Sequence, residues 1–294
     1  MSLTRDALEA AIDEHPDDAS RYAVLGDWCL QAGDPRGELI SLQLASSQTP
    51  EKKRREAELL LLDGIRIAQA QRTEWRWGFA HALSLFRTQE RWEDWTNTVL
   101  APALTHPSCR FLRELAIEAG PGDEVLRYLS ANPPRVINAL SLTCNEVELA
   151  NVGADLCRIT RLHLYAQLIV PAKLSALSEL EELSLPADAL SVEGLAKVID
   201  SVSGIRKLTL SSLERFDSRS MFPVTLCRQL ERLTLRAEET TRDAVETIID
   251  SHLRATLRVL DVSRSGLTEE AAHFLLENTK QFERLDSLLL GDAV

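Results

Sequence analysis

The stretch between residues 180 and 235 repeats one short motif three times, and this motif decides the fold. The copies are Leu180-Glu-Glu-Leu183-Ser-Leu185, Ile205-Arg-Lys-Leu208-Thr-Leu210 and Leu230-Glu-Arg-Leu233-Thr-Leu235. Each has the form apolar-x-x-Leu-x-Leu. Because alternate side chains of a β-strand point to opposite faces, the motif predicts a strand with two leucines in a core and polar residues on the other face.

The same motif occurs eight times along the chain, at spacings of 21 to 28 residues. Its central leucines are Leu115, Leu140, Leu162, Leu183, Leu208, Leu233, Leu260 and Leu288. A recurrence at spacings of this size indicates a repeat architecture, since one such strand cannot bury its apolar side alone and parallel copies must stack. Segments between the motifs, such as residues 192–199 and 241–249, have the apolar spacing of a helix with one buried face. We therefore predict an α/β fold: a right-handed solenoid of strand, turn and helix, with parallel strands on its concave face and helices on its convex face.

The last complete copy carries a family resemblance. Leu257-Arg-Val-Leu260-Asp-Val262, followed by Gly266-Leu267, resembles the long, ribonuclease-inhibitor-like leucine-rich repeats. That family has an asparagine three residues after the final core residue of each copy, and here only Asn145 matches. The other copies hold Gly120, Gln167, Asp188, Leu213, Glu238, Ser265 and Ala293. The departure predicts irregular turns within the same fold.

The N-terminal third lacks the motif and is predicted to be helical. Helices are expected at Asp6–Glu14, at Ser20–Gln31, from Asp34-Pro35 onward, and in a charged segment at about residues 51–71. The order Pro16-Asp17-Asp18, Asp27-Trp28, then Gly33-Asp34 with Glu38-Leu-Ile-Ser-Leu-Gln43, resembles the bacterial repeat-companion domain. The resemblance implies an all-helical cap, residues 1–74, ahead of a leucine-rich-repeat solenoid, residues 75–294, with eight to nine repeats. Leu83 and Leu85 would form the degenerate ninth repeat.

Composition and charge exclude several classes of function. The chain has 33 Lys and Arg against 45 Asp and Glu, a net charge of −12, so binding to nucleic acid or an anionic membrane is not expected. It has no apolar run long enough to span a membrane and no hydrophobic signal segment, which favours a cytoplasmic protein. The cysteines, at positions 29, 109, 144, 157 and 227, lack zinc-ligand spacing and are predicted to be buried free thiols.

No residue pattern predicts catalysis, a metal or a cofactor. Catalytic and nucleotide-binding motifs are absent and the six histidines are dispersed. The acidic residues Asp17, Asp18, Asp27 and Asp34 are interpreted as caps of helices and turns. Trp92 and Trp95 either form an exposed binding pair or cover the open end of the solenoid, and the second interpretation is favoured.

The outward positions of the strands predict a protein-binding surface. One local basic and aromatic patch stands out on the concave face, and its residues are Arg161, His163, Tyr165, Glu182, Lys207, Arg232 and Arg236. The alternative is an ordinary solvated face. We predict a non-enzymatic interaction scaffold for a partner with an acidic surface, monomeric unless the solenoid ends pair. Other hypotheses are a regulatory subunit or adaptor of a signalling NTPase or kinase, such as a small-GTPase regulator, and an unrecognised hydrolase.

Overall fold

A computed structural model describes residues 4–291, apart from residues 63, 69, 88–90, 119, 133–135, 154–155, 173, 203 and 214–228. The chain forms two compact units: Met1–Glu118 with Pro134–Ile137, and Ala119–Pro133 with Asn138–Val294. The described part has the α/β class, with ten strands that pair mostly in parallel. This class was predicted from the sequence and is confirmed; the division of the chain at residues 74 and 75 stays a prediction.

The first unit begins with four helices: α1 (Arg5–Glu14), α2 (Ala19–Gln31), α3 (Arg36–Leu44) and α4 (Pro50–Leu60). Thr4, Asp18 and Thr49 cap α1, α2 and α4 through their side-chain oxygens, which satisfies amides that a helix start leaves unpaired. The prediction of a charged helix continuing to about residue 71 is wrong. Past Leu60 the chain buries Ile65 and Ile67, two residues apart, a spacing that one helix face does not provide.

An antiparallel hairpin follows, which the sequence did not lead us to predict. Strand β1 (Arg72–Arg76) pairs with β2 (Phe79–Phe86) around the two-residue turn Trp77-Gly78. Both turn residues have positive φ, 51° and 81°, as the tight hairpin turn of type I′ requires. Strand β2 contains Leu83 and Leu85, the residues of the predicted ninth repeat; both are buried and lie opposite Leu115 and Ile117 of β3 (Glu114–Glu118). Between β2 and β3 lie α5 (Trp92–Trp95), a π-helical turn (Thr96–Leu100) and α6 (Ala101–Thr105).

The described residues of the second unit form seven strands, which together with β3 account for all eight motif copies. Its elements are α7 (Gly122–Ala131), β4 (Ala139–Glu148), β5 (Arg161–Val170), β6 (Glu182–Pro186), α8 (Val192–Asp200), β7 (Lys207–Leu213), β8 (Arg232–Ala237), α9 (Arg242–Asp250), β9 (Val259–Val262), α10 (Glu269–Asn278) and β10 (Ser287–Leu290). Parallel registers place the central leucines opposite one another from Leu140 to Leu288. The predicted leucine ladder is therefore the core of this unit, and its members from Leu140 to Leu260 are buried.

The prediction of a helix in every repeat is wrong for the two shortest repeats. Among the described residues, no α-helix lies between β4 and β5 or between β5 and β6, where the central leucines are only 22 and 21 residues apart. Strands β4 and β5 instead extend to ten residues each and continue pairing through Val147 and Ile169. An extended chain advances about 3.3 Å per residue against 1.5 Å in a helix, so fewer residues complete the repeat.

Main-chain hydrogen bonds, rather than an asparagine ladder, organise the turn after β9. The amide of Gly266 donates to the carbonyl of Ala237 at 3.0 Å, and the amide of Thr240 donates to the carbonyl of Gly266 at 2.8 Å. Asn145, at the single ladder position that matches the family, is exposed. Ala293 lies outside the described residues, as does the side chain of Leu213.

Candidate protein-binding surface

All seven predicted surface residues lie on one face of four neighbouring strands, β5 to β8. Parallel pairing places Arg161, Glu182, Lys207 and Arg232 in one row across these strands. A second row contains His163, Ser184, Thr209 and Thr234. Tyr165 follows His163 on β5, and Arg236 follows Thr234 on β8. We call the seven residues the β5–β8 patch. The register that the sequence pattern predicted is thus confirmed, whereas partner binding itself remains a prediction.

The β5–β8 patch contains an exposed aromatic ring and borders a row of small hydroxyl side chains. Tyr165 keeps 43% of its surface exposed, and Lys207 and Arg232 are also exposed. In the second row, Thr209 and Thr234 are half-buried and Ser184 is buried. Small side chains in the middle row leave space above the sheet, so a partner's side chains have room to reach the larger residues on either side.

Glu182 lies at the centre of the patch and contacts nitrogen-bearing side chains on both neighbouring strands. Its Oε1 atom is 3.6 Å from Nε2 of His163 on β5, and its Oε2 atom is 3.6 Å from Nζ of Lys207 on β7. The two oxygens of one carboxylate therefore face two different nitrogen groups. The sequence placed Glu182 in the patch, but its contacts with both neighbours depend on side-chain conformations that the motif does not specify.

Strand β8 supplies two arginines on the same face. Arg232 and Arg236 are four residues apart, and Thr234 lies between them. Arg232 is exposed and Arg236 is half-buried. Within the described part of the chain, the buried Nε atom of Arg236 has no hydrogen-bond partner. A buried donor without a partner is energetically costly.

A row of alternating charge precedes strands β6 to β10, and the sequence analysis overlooked it. Its members are Glu181, Arg206, Glu231, Arg258 and Asp286, each one residue ahead of its strand. Arg206 lies 3.7 Å from Glu231, and Arg258 lies 2.8 Å from Asp286. The alternation was visible in the sequence once the motifs were aligned. Exposed pairs of this kind contribute little to stability.

A second overlooked surface lies on the extended halves of β4 and β5. Leu168 and Val170 are exposed there, and they lie opposite Glu146 and Glu148 in the strand register. The motif ends before these residues, so it could not predict that both strands continue.

The acidic residues of the first unit serve structural roles. Asp18 accepts hydrogen bonds from the hydroxyl and amide of Ser20, and these bonds lower the pKa of its carboxyl. Asp34 accepts from the amide of Arg36 at 2.9 Å. The capping interpretation is confirmed for these two. It is wrong for Asp27, which lies inside α2. Asp17 lies in the turn before α2 and pairs with Arg76 at 3.1 Å.

The tryptophan pair is not an exposed binding site. Trp95 is buried, and its indole Nε1 donates to the carbonyl of Phe86 at 3.2 Å. The ring of Trp92 packs against it at a centroid distance of 5.5 Å. The interpretation of these two residues as an exposed interface pair is therefore wrong.

The described cysteines are free thiols, and three of the four are buried. Burial raises the pKa of Cys109 to about 12 and that of Cys144 to about 11, so both are protonated near neutral pH. Cys227 lies outside the described residues. In the described part of the chain, no group of three His, Cys, Asp or Glu side chains is placed to hold a metal ion. No helix there is long and apolar enough to cross a membrane.

No protein-family model matches the chain, and no curated protein matches it significantly.

Proposed function

We propose that this protein is a non-enzymatic interaction module: a leucine-rich-repeat solenoid behind an N-terminal helical cap, which binds a protein partner through the β5–β8 patch. The fold supports this proposal, because parallel strands repeat in register and leave a continuous row of side chains for contact with a partner. The sequence resemblances to leucine-rich repeats and to the repeat-companion domain point the same way. The proposed compartment is the cytoplasm, where buried free thiols persist.

The local charge of the patch is the observation that carries the proposal. Arg161, Lys207, Arg232 and Arg236 contribute four positive charges and Glu182 one negative charge, a formal sum of 4 − 1 = +3 with His163 neutral. The whole chain carries −12. A positive patch on an acidic protein attracts an acidic region of a partner, while the remaining surface repels other anions, nucleic acid included.

The side chains of the patch also suit a protein interface. Tyrosine and arginine, with tryptophan, are enriched among the residues that contribute most binding energy at such interfaces. Tyr165 offers an exposed ring with few rotatable bonds, and Arg232 offers a planar donor for carboxylates. We propose a monomeric protein whose partner presents carboxylates around a small apolar or aromatic contact.

Affinity purification with a patch variant and a matched control tests this proposal. The variant Arg161→Glu/Tyr165→Ala/Arg232→Glu changes the charge by −4. The control Arg127→Glu/Arg264→Glu makes the same change at two exposed arginines, one on α7 and one in the turn after β9. Loss of one hot-spot residue costs about 2 kcal/mol, or roughly thirtyfold in affinity, so the partner should disappear with the patch variant.

The control should retain the partner at the wild-type level, and the purified partner should then bind the purified wild-type chain directly. Equal recovery of the same partner by wild type, control and patch variant would rule out the β5–β8 patch as its binding site.

A further inference from the structure

The carboxylate of Glu182 occupies the position where an acidic side chain of a partner would contact the patch. It lies between two nitrogen groups, at 3.6 Å from Nε2 of His163 and at 3.6 Å from Nζ of Lys207. Both contacts join neighbouring strands, and the register places Glu182 directly opposite Lys207. A side chain of the protein itself therefore already contacts two of the nitrogen groups that an acidic partner would use.

We propose that Glu182 is an internal competitor that sets the specificity of the patch by holding Lys207 and His163 away from acidic partners. The inference rests on the proposed function, because it assigns roles within the same surface. In the wild-type chain, acidic side chains of the partner dock at β8, on Arg232 and Arg236. Lys207 and His163 join that contact only when the Glu182 carboxylate is displaced.

The competition has a direct consequence for selectivity. A partner with a single acidic side chain contacts β8 and leaves the Glu182 contacts in place. A partner with several adjacent carboxylates also competes for Lys207, but it must replace an existing ion pair and gains little from doing so. Glu182 thus disfavours indiscriminate binding of polyacidic chains while leaving a site for one well-placed carboxylate.

Asp261 on β9 provides a matched control on the same face. It lies opposite Thr234 of β8, so it is one strand from Arg232 and Arg236, whereas Glu182 on β6 is two strands away. Its carboxylate accepts from the amide of Ser263 at 3.1 Å and from the hydroxyl of the same residue at 2.7 Å. If only the overall charge near β8 mattered, neutralising Asp261 would strengthen acidic binding at least as much as neutralising Glu182.

The experiment measures binding of a fluorescein-labelled peptide of eight glutamates to the full chain by fluorescence anisotropy. Salt is kept at about 50 mM, because higher ionic strength screens exposed charges. Wild type, Glu182→Gln, Asp261→Asn, Lys207→Gln, Glu182→Gln/Lys207→Gln and Arg232→Glu are compared. Circular dichroism confirms that each variant is folded.

We expect Glu182→Gln to bind the peptide about fivefold more tightly than wild type, the size of one surface charge contact. Asp261→Asn should change the affinity by less than about twofold. In the Lys207→Gln background, Glu182→Gln should lose at least half of its effect, because the released ammonium group is missing.

Equal gains from Glu182→Gln and Asp261→Asn would overturn the inference and leave the proposed function intact. The inference would also be overturned if Glu182→Gln raised the peptide affinity by the same factor in the Lys207→Gln background as in the wild-type chain. A wild-type chain that binds the peptide no better than Arg232→Glu does would instead overturn the acidic-partner proposal itself.

Discussion

Truncation of Leu208 should destabilise the second unit strongly. This residue is fully buried on β7, between Leu183 of β6 and Leu233 of β8 in the leucine ladder. Leu208→Ala removes three carbons, which lowers the free energy of burial by about 2.4 kcal/mol at 0.8 kcal/mol per carbon. The cavity left behind adds to this cost, because the flanking strands are held in register and cannot collapse fully. We expect a total loss of about 3 kcal/mol in the free energy of unfolding.

Thr209→Ala is the matched control, since Thr209 is the next residue of the same strand and lies on the opposite face. Thr209 is half-buried. Because successive side chains of a strand point to opposite faces, its side chain points away from the leucine ladder. Its truncation should change the free energy of unfolding by no more than about 0.5 kcal/mol.

Urea unfolding followed by far-ultraviolet circular dichroism measures both variants. With a urea dependence of about 2 kcal/mol per molar, Leu208→Ala should lower the midpoint by about 1.5 M and Thr209→Ala by less than about 0.3 M. Tryptophan fluorescence is unsuitable here, because all five tryptophans lie between residues 28 and 95. Equal shifts for the two variants, or a shift below about 0.5 M for Leu208→Ala, would refute the proposed alternation of core and surface along the motif.

Three further predictions concern two glycines of the first unit and the thiols. Gly33 and Gly78 both have positive φ, at 73° and 81°. A Cβ atom on Gly33 meets nothing within 4 Å, whereas one on Gly78 would overlap Cγ1 of the buried Ile40. Gly33→Ala should therefore lower the free energy of unfolding by about 1 kcal/mol and Gly78→Ala by at least about 3 kcal/mol, measured by urea unfolding with tryptophan fluorescence. Equal losses would contradict the role assigned to the turn. Folded-state pKa values of about 12 for Cys109 and about 11 for Cys144 lie above the value of about 8.5 for an unfolded thiol. The stabilising contribution of these protonated thiols is thus complete below about pH 8.5 and is lost as the pH rises through the folded-state pKa values. The urea midpoint should therefore decrease when the pH is raised from about 8.5 to about 10.5. The decrease should be smaller in the variant Cys109→Ala/Cys144→Ala. Peptide-level alkylation at pH 8 should modify the half-exposed Cys157 before either of them, and the reverse order would contradict their burial.

The strands of the repeat could be predicted because their signal is local. Alternation of core and surface residues has a period of two, and eight copies at similar spacing specify both the strands and their parallel register. The positions of the β5–β8 patch follow from the same two facts. For this reason Arg161 and Arg232, far apart in the chain, could be assigned to one row from the sequence alone.

The features that the sequence analysis missed depend on backbone conformation, repeat length and side-chain rotamers, which the motif does not specify. The hairpin at Trp77-Gly78 needs two consecutive residues with positive φ, and a tryptophan in the first of these positions gives little indication of that. Extension of β4 and β5 in place of helices follows from the short spacing of two repeats, but the motif itself is the same there as elsewhere. The contacts of Glu182 with His163 and Lys207 depend on the choice of side-chain rotamers, which a pattern of residue types does not determine.

Photo-cross-linking inside cells tests the central claim most directly. The photoreactive residue p-benzoylphenylalanine replaces Tyr165 in one strain, and in a second strain it replaces Arg127, which is exposed on α7. On irradiation, position 165 should yield a covalent adduct with one protein partner, which is lost when Arg232→Glu is added, and position 127 should yield none. An adduct from position 127 alone would place the binding surface on the helices and contradict the assignment to the β5–β8 patch.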